Sequence, residues 1–380
     1  MTIKAIRLYH LVAPLPETIG NALVFFQSRE TLLVEVVDRS GVAGWGETWA
    51  LPGAAAAIIE SRLAPLVLGQ DAMKVGRLWH EMCAATGSEG ASRMAVAALD
   101  MALHDLAARL REVPLSTVLG GALRERVPAY ASGPFFKPGG NPYREFEREA
   151  AFYLEAGFKA IKLRSGFHPK EDAAIAARIR RLMGDDATLM VDFNQAYSPR
   201  AALDASERMA ESRPLWIEEP TTPGDLEGYR LLAGRLEPAL AGGETYSDAR
   251  AFQPFLASGS MDVLQPDIAI CGGLTGVGRV AALAELYDRP VVPHVWGSSV
   301  NLYAAMHFAA AQPEMPAGAA PPMPYLEYDM GPHPLFDALG RPPINADGTV
   351  SITDEPGLGI APRPAAFAAL VRTSREISAA

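Results

Sequence analysis

With 380 residues, 49% of them hydrophobic and 21% charged, the chain has the make-up of a globular enzyme and exceeds the usual single-domain size. A net charge of −10 without a dense Lys/Arg cluster argues against nucleic acid or an anionic membrane as partner, and no run of about 18 apolar residues offers a membrane span. Two cysteines, Cys83 and Cys271, form neither a disulfide framework nor a zinc-like spacing; with an N-terminus that lacks a signal peptide's apolar core, a cytoplasmic enzyme is the simplest expectation.

Residues 3–12 and 29–38 alternate in polarity as strands do. Between them APLPETIGNALVFFQ is rich in turn residues yet carries Phe25 and Phe26, which suggests a loop covering a site. The segment GVAGWGETWALPG, with Trp45 and Trp49, reads as a second covering loop or as a hairpin and turn. Residues 54–68, 75–85 and 88–111 have helical periodicity, the last broken before Pro114. His104 in that helix reads as a structural histidine. Strands followed by helices make residues 1–125 an α+β unit.

After VLGGALRERVP short apolar strands alternate with amphipathic helices. Eight strands are expected at 127–132, 159–164, 188–194, 214–219, 239–244, 261–267, 290–295 and 324–328, with helices between them such as 170–183, 199–212, 247–258 and 273–287. Eight such repeats indicate a (β/α)₈ barrel over residues 126–333. The last unit is interrupted by QPEMPAGAAPPMP, and residues 334–380 are expected to pack back on the first unit.

Barrel active sites lie at the C-terminal ends of the strands. The inward residues there are Lys162 and Arg164, Asp192 and Asn194, Glu218, Glu244, Asp267, His294 and Glu327. A structural barrel would place apolar residues at most of these positions. Asp192, Glu218 and Glu244 follow one another at 26-residue intervals and would repel one another unless a cation binds; three carboxylates suit Mg²⁺ better than zinc. The alternative is that each is paired with a Lys or Arg. Glu219 is expected to face outward. Asp267 and His294, on adjacent strands, make a carboxylate–imidazole pair fit for acid/base work. Lys162 and Arg164 face that pair and suit a substrate carboxylate, although Arg is a poor base.

These residues resemble the enolase superfamily, mandelate racemase-like subgroup, through GWGE, PLSTVLGG, VDFNQ, WIEEP, AGGE, LQPD and HVWGS along nearly the whole chain. The resemblance implies a modified barrel of (β/α)₇β type with an N-terminal α+β capping domain completed by the C-terminal segment. It implies Mg²⁺ on Asp192, Glu218 and Glu244, a His294–Asp267 acid/base dyad, and Glu327 as hydrogen-bond donor to a small-molecule carboxylate substrate, in a homo-oligomer. Asp267 stands where the muconate-lactonizing branch has a Lys, and HVWGS and YLEYD look most like galactarolactone cycloisomerases and acid-sugar dehydratases. The expected chemistry is proton abstraction beside a carboxylate followed by β-elimination, or alternatively racemisation or epimerisation. Racemisation needs a base on each face, and Arg164 replaces the family's usual second Lys there. Substrate contacts are expected from Asn194, Trp296, Phe25 and Trp49.

Overall fold

The computed structural model describes residues 1–87, 89–315 and 323–378. The N-terminal part is an antiparallel sheet in which Ile3–Gly20 pairs with Phe25–Asp38, and Phe25–Asp38 with Ala43–Thr48. Val371–Ser378 adds itself to the outer edge of the first strand. Leu32, Val34 and Val36 alternate onto one face and pack there against Leu78, Met82, Leu99 and Leu103 of two helices. A register shift between Ile3 and Ala5 lets Ile3 and Ile6, three residues apart, face the same core.

The first expected covering loop turns out to be sheet, and the second follows the alternative of a hairpin and turn. The first is a hairpin whose strands run on to Gly20 and from Phe25; only residues 21–24 turn, where Asn21 Oδ1 accepts from the N–H of Leu23 and Val24 at 2.9 and 3.0 Å. The tip is fastened to the barrel. Gly20 and Phe136 exchange backbone hydrogen bonds of 2.9 and 3.0 Å, and buried Lys137 pairs with Glu17 at 2.6 Å. The second, GWGET, is the strand Ala43–Thr48, which lies directly on the helix Gly90–Leu110. Its glycines are contact residues rather than turn formers: a Cβ on Gly46 would sit 2.0 Å from the Ala98 carbonyl oxygen, and one on Gly44 2.3 Å from that of Ala102. Trp45 and Glu47 are thereby turned to the opposite face.

The rest is the (β/α)₇β barrel. Strands Arg126–Ser132, Ala160–Arg164, Thr188–Asp192, Trp216–Glu218, Ala239–Gly242 and Val263–Leu264 pair in parallel succession. Leu326–Asp329 returns to lie beside the first. The seventh position is made of two single bridges, Leu264 to Val291 and Asp267 to His294. Pro266, Pro290 and Pro293 remove ladder donors there, which is why the expected strands 261–267 and 290–295 are so short. Seven helices alternate with these strands among the described residues. The Pro/Ala/Gly-rich interruption falls mostly on residues 316–322, outside the described residues.

Alternation sorts the barrel side chains. Ile161, Leu163, Leu189, Val191, Ile217, Leu240 and Leu264 face the helices. Tyr130, Met190, Trp216, Val263 and Val292 fill the interior as an apolar plug. Above the plug, at the strand ends, the inward residues become polar and ionisable. Buried His307, on the helix Ser299–Ala311, pins three parts of the chain together. The Ser116 N–H donates to its Nδ1 at 3.3 Å and its Nε2 faces the Leu358 carbonyl at 3.2 Å.

Two tests follow from this packing. Gly46→Ala drives a Cβ into helix backbone and should destabilise the fold by about 2 kcal/mol or more in chemical denaturation; an unchanged midpoint would contradict the contact. Burial holds His307 down at about 4, below its usual 6.5. As pH falls below 6.5 the unfolded chain takes up this proton first, so the stability held by neutral His307 is complete above 6.5 and lost as pH falls through 4. On the order of 3 kcal/mol should disappear over that window, and His307→Gln should flatten that part of the pH–stability curve. Identical curves for the two proteins would contradict the assignment.

Candidate active site

Each acidic corner is built by a strand end and the turn after it. The strand Thr188–Asp192 points Met190 and Asp192 inward. The chain then leaves the strand through Asn194 and Gln195, with φ of 45° and 65°. This left-handed turn folds Asn194 back over Asp192, whose Oδ1 accepts from the Asn194 backbone N–H at 2.7 Å and whose Oδ2 accepts from its side chain at 3.0 Å. Asn194 is thus a turn residue bracing Asp192, not the next inward step of a strand. Arg164 Nη1 donates to Asp192 at 2.5 Å and to Asn194 Oδ1 at 3.2 Å.

Glu218 ends its strand opposite Asp192. It receives Lys162 at 2.5 Å, Gln265 at 2.6 Å and the Trp216 indole at 3.1 Å. Alternation stops here, because Glu219 has φ of 42°. Glu219 is therefore buried, contrary to the outward orientation expected, and accepts both contacts of the Gln195 amide at 2.9 and 3.0 Å. Burial, then Glu244 and Asp192, push its carboxyl well above the usual range. Glu244 lies beyond Gly243, whose φ of 109° swings the chain out of the strand. Glu244 Oε2 is buried without a hydrogen-bond partner and lies 3.3 Å from His294 Nε2.

Opposite stands the dyad. His294 Nδ1 lies 2.8 Å from Asp267 Oδ2, which leaves Nε2 as the ring nitrogen facing Glu244. The other Asp267 oxygen accepts from the Ala269 N–H at 2.7 Å and from the Asn301 amide at 3.3 Å. Burial alone would depress His294, but Glu244, Glu327 and Asp267 outweigh it and push it up to about 10. The Glu244 charge is one of the raising causes, so neutralising Glu244 shifts His294 towards the neutral, proton-accepting form. Glu327 receives Lys162 at 2.8 Å, Ser132 Oγ at 2.7 Å and the Val295 N–H at 3.0 Å. Burial would raise its carboxyl, but Lys162, His294 and Arg164 hold it well below the usual range. In this arrangement Glu327 is an acceptor, not the hydrogen-bond donor that the family resemblance implies.

Six carboxylates (Asp192, Glu218, Glu219, Glu244, Asp267 and Glu327) thus crowd three cationic groups, Lys162, Arg164 and His294. Burial raises Asp192, Glu218 and Glu244, and each is raised further by another acid of this group, while Lys162, Arg164 or His294 pulls the other way. Asp192 and Glu218 have the Lys and Arg partners of the ion-pair alternative; Glu244 has only the imidazole at contact distance among the described residues. No three acidic, His or Cys side chains close into a ready metal-holding cluster among the described residues. The donors nonetheless fit a hard cation: three carboxylates from neighbouring strand ends, one with an orphaned buried oxygen.

The capping domain supplies the roof. Buried Glu47 accepts from the Ser298 and Asn301 backbone N–H groups at 2.6 and 2.9 Å, and from the Ser298 and Thr31 hydroxyls at 2.7 and 2.6 Å. It caps the helix after His294 from across the domain boundary. Trp49 donates its indole N–H to Asp267 Oδ2 at 2.8 Å. Trp296 is at the centre of an aromatic wall, 5.1 Å from Phe26, 5.8 Å from Phe135 and 6.4 Å from Trp49, ring centre to ring centre. Arg29 lies 3.7 Å over its face and pairs with Asp329 at 2.7 Å. Phe25 is 41% exposed, and its neighbour Phe26 takes the wall position. Trp45 is buried against Tyr9 and Phe367, away from this wall. His104 is a joint residue, 3.1 Å from Thr275.

Residues 9–120 match the N-terminal domain of the mandelate racemase/muconate lactonizing enzyme family, and residues 145–366 match the enolase C-terminal domain-like family. Over 365 residues the chain is 35% identical to D-galactarolactone cycloisomerase of Agrobacterium fabrum (strain C58), covering 95% of this chain and 96% of that protein. The crystal structure of 3,6-anhydro-D-galactonate cycloisomerase from Zobellia galactanivorans is similar with a TM-score of 0.88 and 28% identity, covering 98% and 100% of the two chains. L-talarate dehydratase from Polaromonas sp. JS666, crystallised with Mg and L-glucarate, has a TM-score of 0.86 and 26% identity, with 100% of both chains covered. The chain belongs to the mandelate racemase/muconate lactonizing enzyme family of the enolase superfamily.

Proposed function

We propose that this protein removes the proton α to the carboxylate of an acid sugar or its lactone and completes a β-elimination, as a dehydratase or cycloisomerase. The observation that carries this reading is the His294–Asp267 dyad, 2.8 Å apart, facing Lys162 and Arg164 across a mouth lined with carboxylates. Relatives named as cycloisomerases and dehydratases of acid sugars support the substrate class.

Asp192, Glu218 and Glu244 would hold Mg²⁺, which supplies Lewis-acid stabilisation of negative charge on a carboxylate oxygen. The protein's own groups do the rest. Lys162 and Arg164 offer donors to the substrate carboxylate and face the charge that develops on it. His294 Nε2 accepts the α-proton, while Asp267 keeps Nδ1–H in place and balances the imidazolium. The electron pair of the broken C–H bond enters the carbon framework. The bond from the β-carbon to oxygen then breaks with its electrons on that oxygen: a hydroxyl takes the proton held by the His294 imidazolium and departs as water, whereas a lactone ring oxygen stays in the product as the carboxylate of the opened ring. Phe26, Trp49 and Trp296 close the roof and exclude water.

A one-base reaction fits this constellation better than racemisation. A second face would need a second base. Arg164 cannot be deprotonated at working pH, and the Lys162 ammonium is held between Glu218 and Glu327 at 2.5 and 2.8 Å.

The test is a panel of aldonates, aldarates and aldarolactones with Mg²⁺ in D₂O, read for α-deuterium incorporation, water loss and ring opening. Elimination or ring opening is expected, falling by about 10²–10⁴-fold in His294→Asn. Chelation should abolish turnover, and Mg²⁺ should restore it. Full activity of His294→Asn would sink the assignment of the base. Inversion at the α-carbon without elimination would establish a two-base racemase instead.

A further inference from the structure

We propose that Trp49, on the capping domain, is a positioning residue of the acid/base dyad: its indole N–H holds Asp267, so the base is assembled only when the cap is seated. The proposal rests on the His294–Asp267 reading above and deepens it. The sequence suggested Trp49 as a substrate contact, but its one polar atom is already committed. Indole offers a single donor and no acceptor. That donor lies 2.8 Å from Asp267 Oδ2, the same oxygen that meets His294 Nδ1 at 2.8 Å.

Asp267 is thereby gripped from two domains. Its Oδ1 takes the Ala269 N–H and the Asn301 amide, both from the barrel. Its Oδ2 takes the imidazole and the indole. Among the described residues Trp49 is the one donor to Asp267 that comes from the cap. A carboxylate with all these directions filled has one rotamer, and it fixes the ring that leans on it. The Trp49 ring also stands 6.1 Å from the imidazole, inclined at 54°.

Trp49 in turn has little freedom. It follows the strand Ala43–Thr48, whose Glu47 is bound to the backbone of Ser298 and Asn301. One short cap segment therefore grips the dyad twice, through Glu47 beneath the helix that carries Asn301 and through Trp49 on Asp267 itself. Lifting the cap removes both at once. Proton abstraction in an open, wet site is suppressed by the same movement that admits substrate.

The experiment uses the whole protein with ¹⁵N-labelled tryptophan and histidine. Trp49→Phe keeps an aromatic ring and removes the N–H, and it identifies the Trp49 signal among the five indoles of the chain. Asp267→Asn should move that indole proton upfield, and Trp49→Phe should shift the His294 ring Nδ1–H signal. In the D₂O assay Trp49→Phe should lower kcat about tenfold or more with KM within about twofold, and should raise the primary isotope effect at the α-carbon. Its melting temperature should stay near the wild-type value. Indole and imidazole signals that ignore these substitutions would overturn the proposal, as would an unchanged kcat or a loss confined to KM. Retained turnover in His294→Asn would instead overturn the choice of base, so the two failures are distinguishable.

Discussion

Negative charge buried round one barrel mouth governs this structure. Carboxylates at neighbouring strand ends cannot all stay ionised in a low-dielectric interior without counter-charge, and burial is the first cause of the raised carboxyls of Asp192, Glu218 and Glu244. Lys162 and Arg164 answer part of it through ion pairs of 2.5 Å to Glu218 and Asp192. Glu244 leans on His294 instead, with one oxygen otherwise unsatisfied. A divalent cation held by these three acids would relieve them together and, by drawing on Glu244, would loosen its hold on the imidazole. On the proposed reading, charge balance and base activation would meet in the pair Glu244–His294.

The second constraint is the union of the two domains. Close approach of the strand Ala43–Thr48 to its helix needs glycine at 44 and 46, and that face directs Glu47 and Trp45 the other way. Glu47 then reaches the start of the helix Ser299–Ala311 and satisfies N–H groups that would otherwise be orphaned at a buried helix end. Packing inside the cap therefore sets where the segment around His294 lies. The hairpin tip, tied by Gly20–Phe136 and Lys137–Glu17, places Phe26 on the Trp296 wall by the same kind of indirect control.

The legible part of the site was the part governed by strand alternation. Lys162, Arg164, Asp192 and Glu218 lie on regular parallel strands, so a period of two points them inward. The Asp267–His294 pairing followed from their places at adjacent strand ends, and the structure joins them by a bridge. Alternation stops serving one or two residues past the regular backbone. Asn194 and Glu219 sit at positive φ, where alternation no longer says which way a side chain points. The glycines of GWGE signalled a loop because a close strand–helix contact leaves the same mark as a turn. Ser132 and Gln265 carry no ionisable group that marks them in the sequence, although Gln265 has the inward parity of Asp267 two residues on. Phe25 and Phe26 were indistinguishable without the hairpin register. Glu47 and Trp49 gain their roles only from contacts more than 200 residues away in sequence.

The most direct measurement of the central claim is a calorimetric titration of the chelator-treated protein with Mg²⁺, alongside Asp192→Asn and Glu244→Gln. The account predicts one Mg²⁺ per chain in the wild type and loss of that binding in each variant while the fold persists. Undiminished binding in both variants, or a wild type that takes up no Mg²⁺ at millimolar concentration, would contradict it.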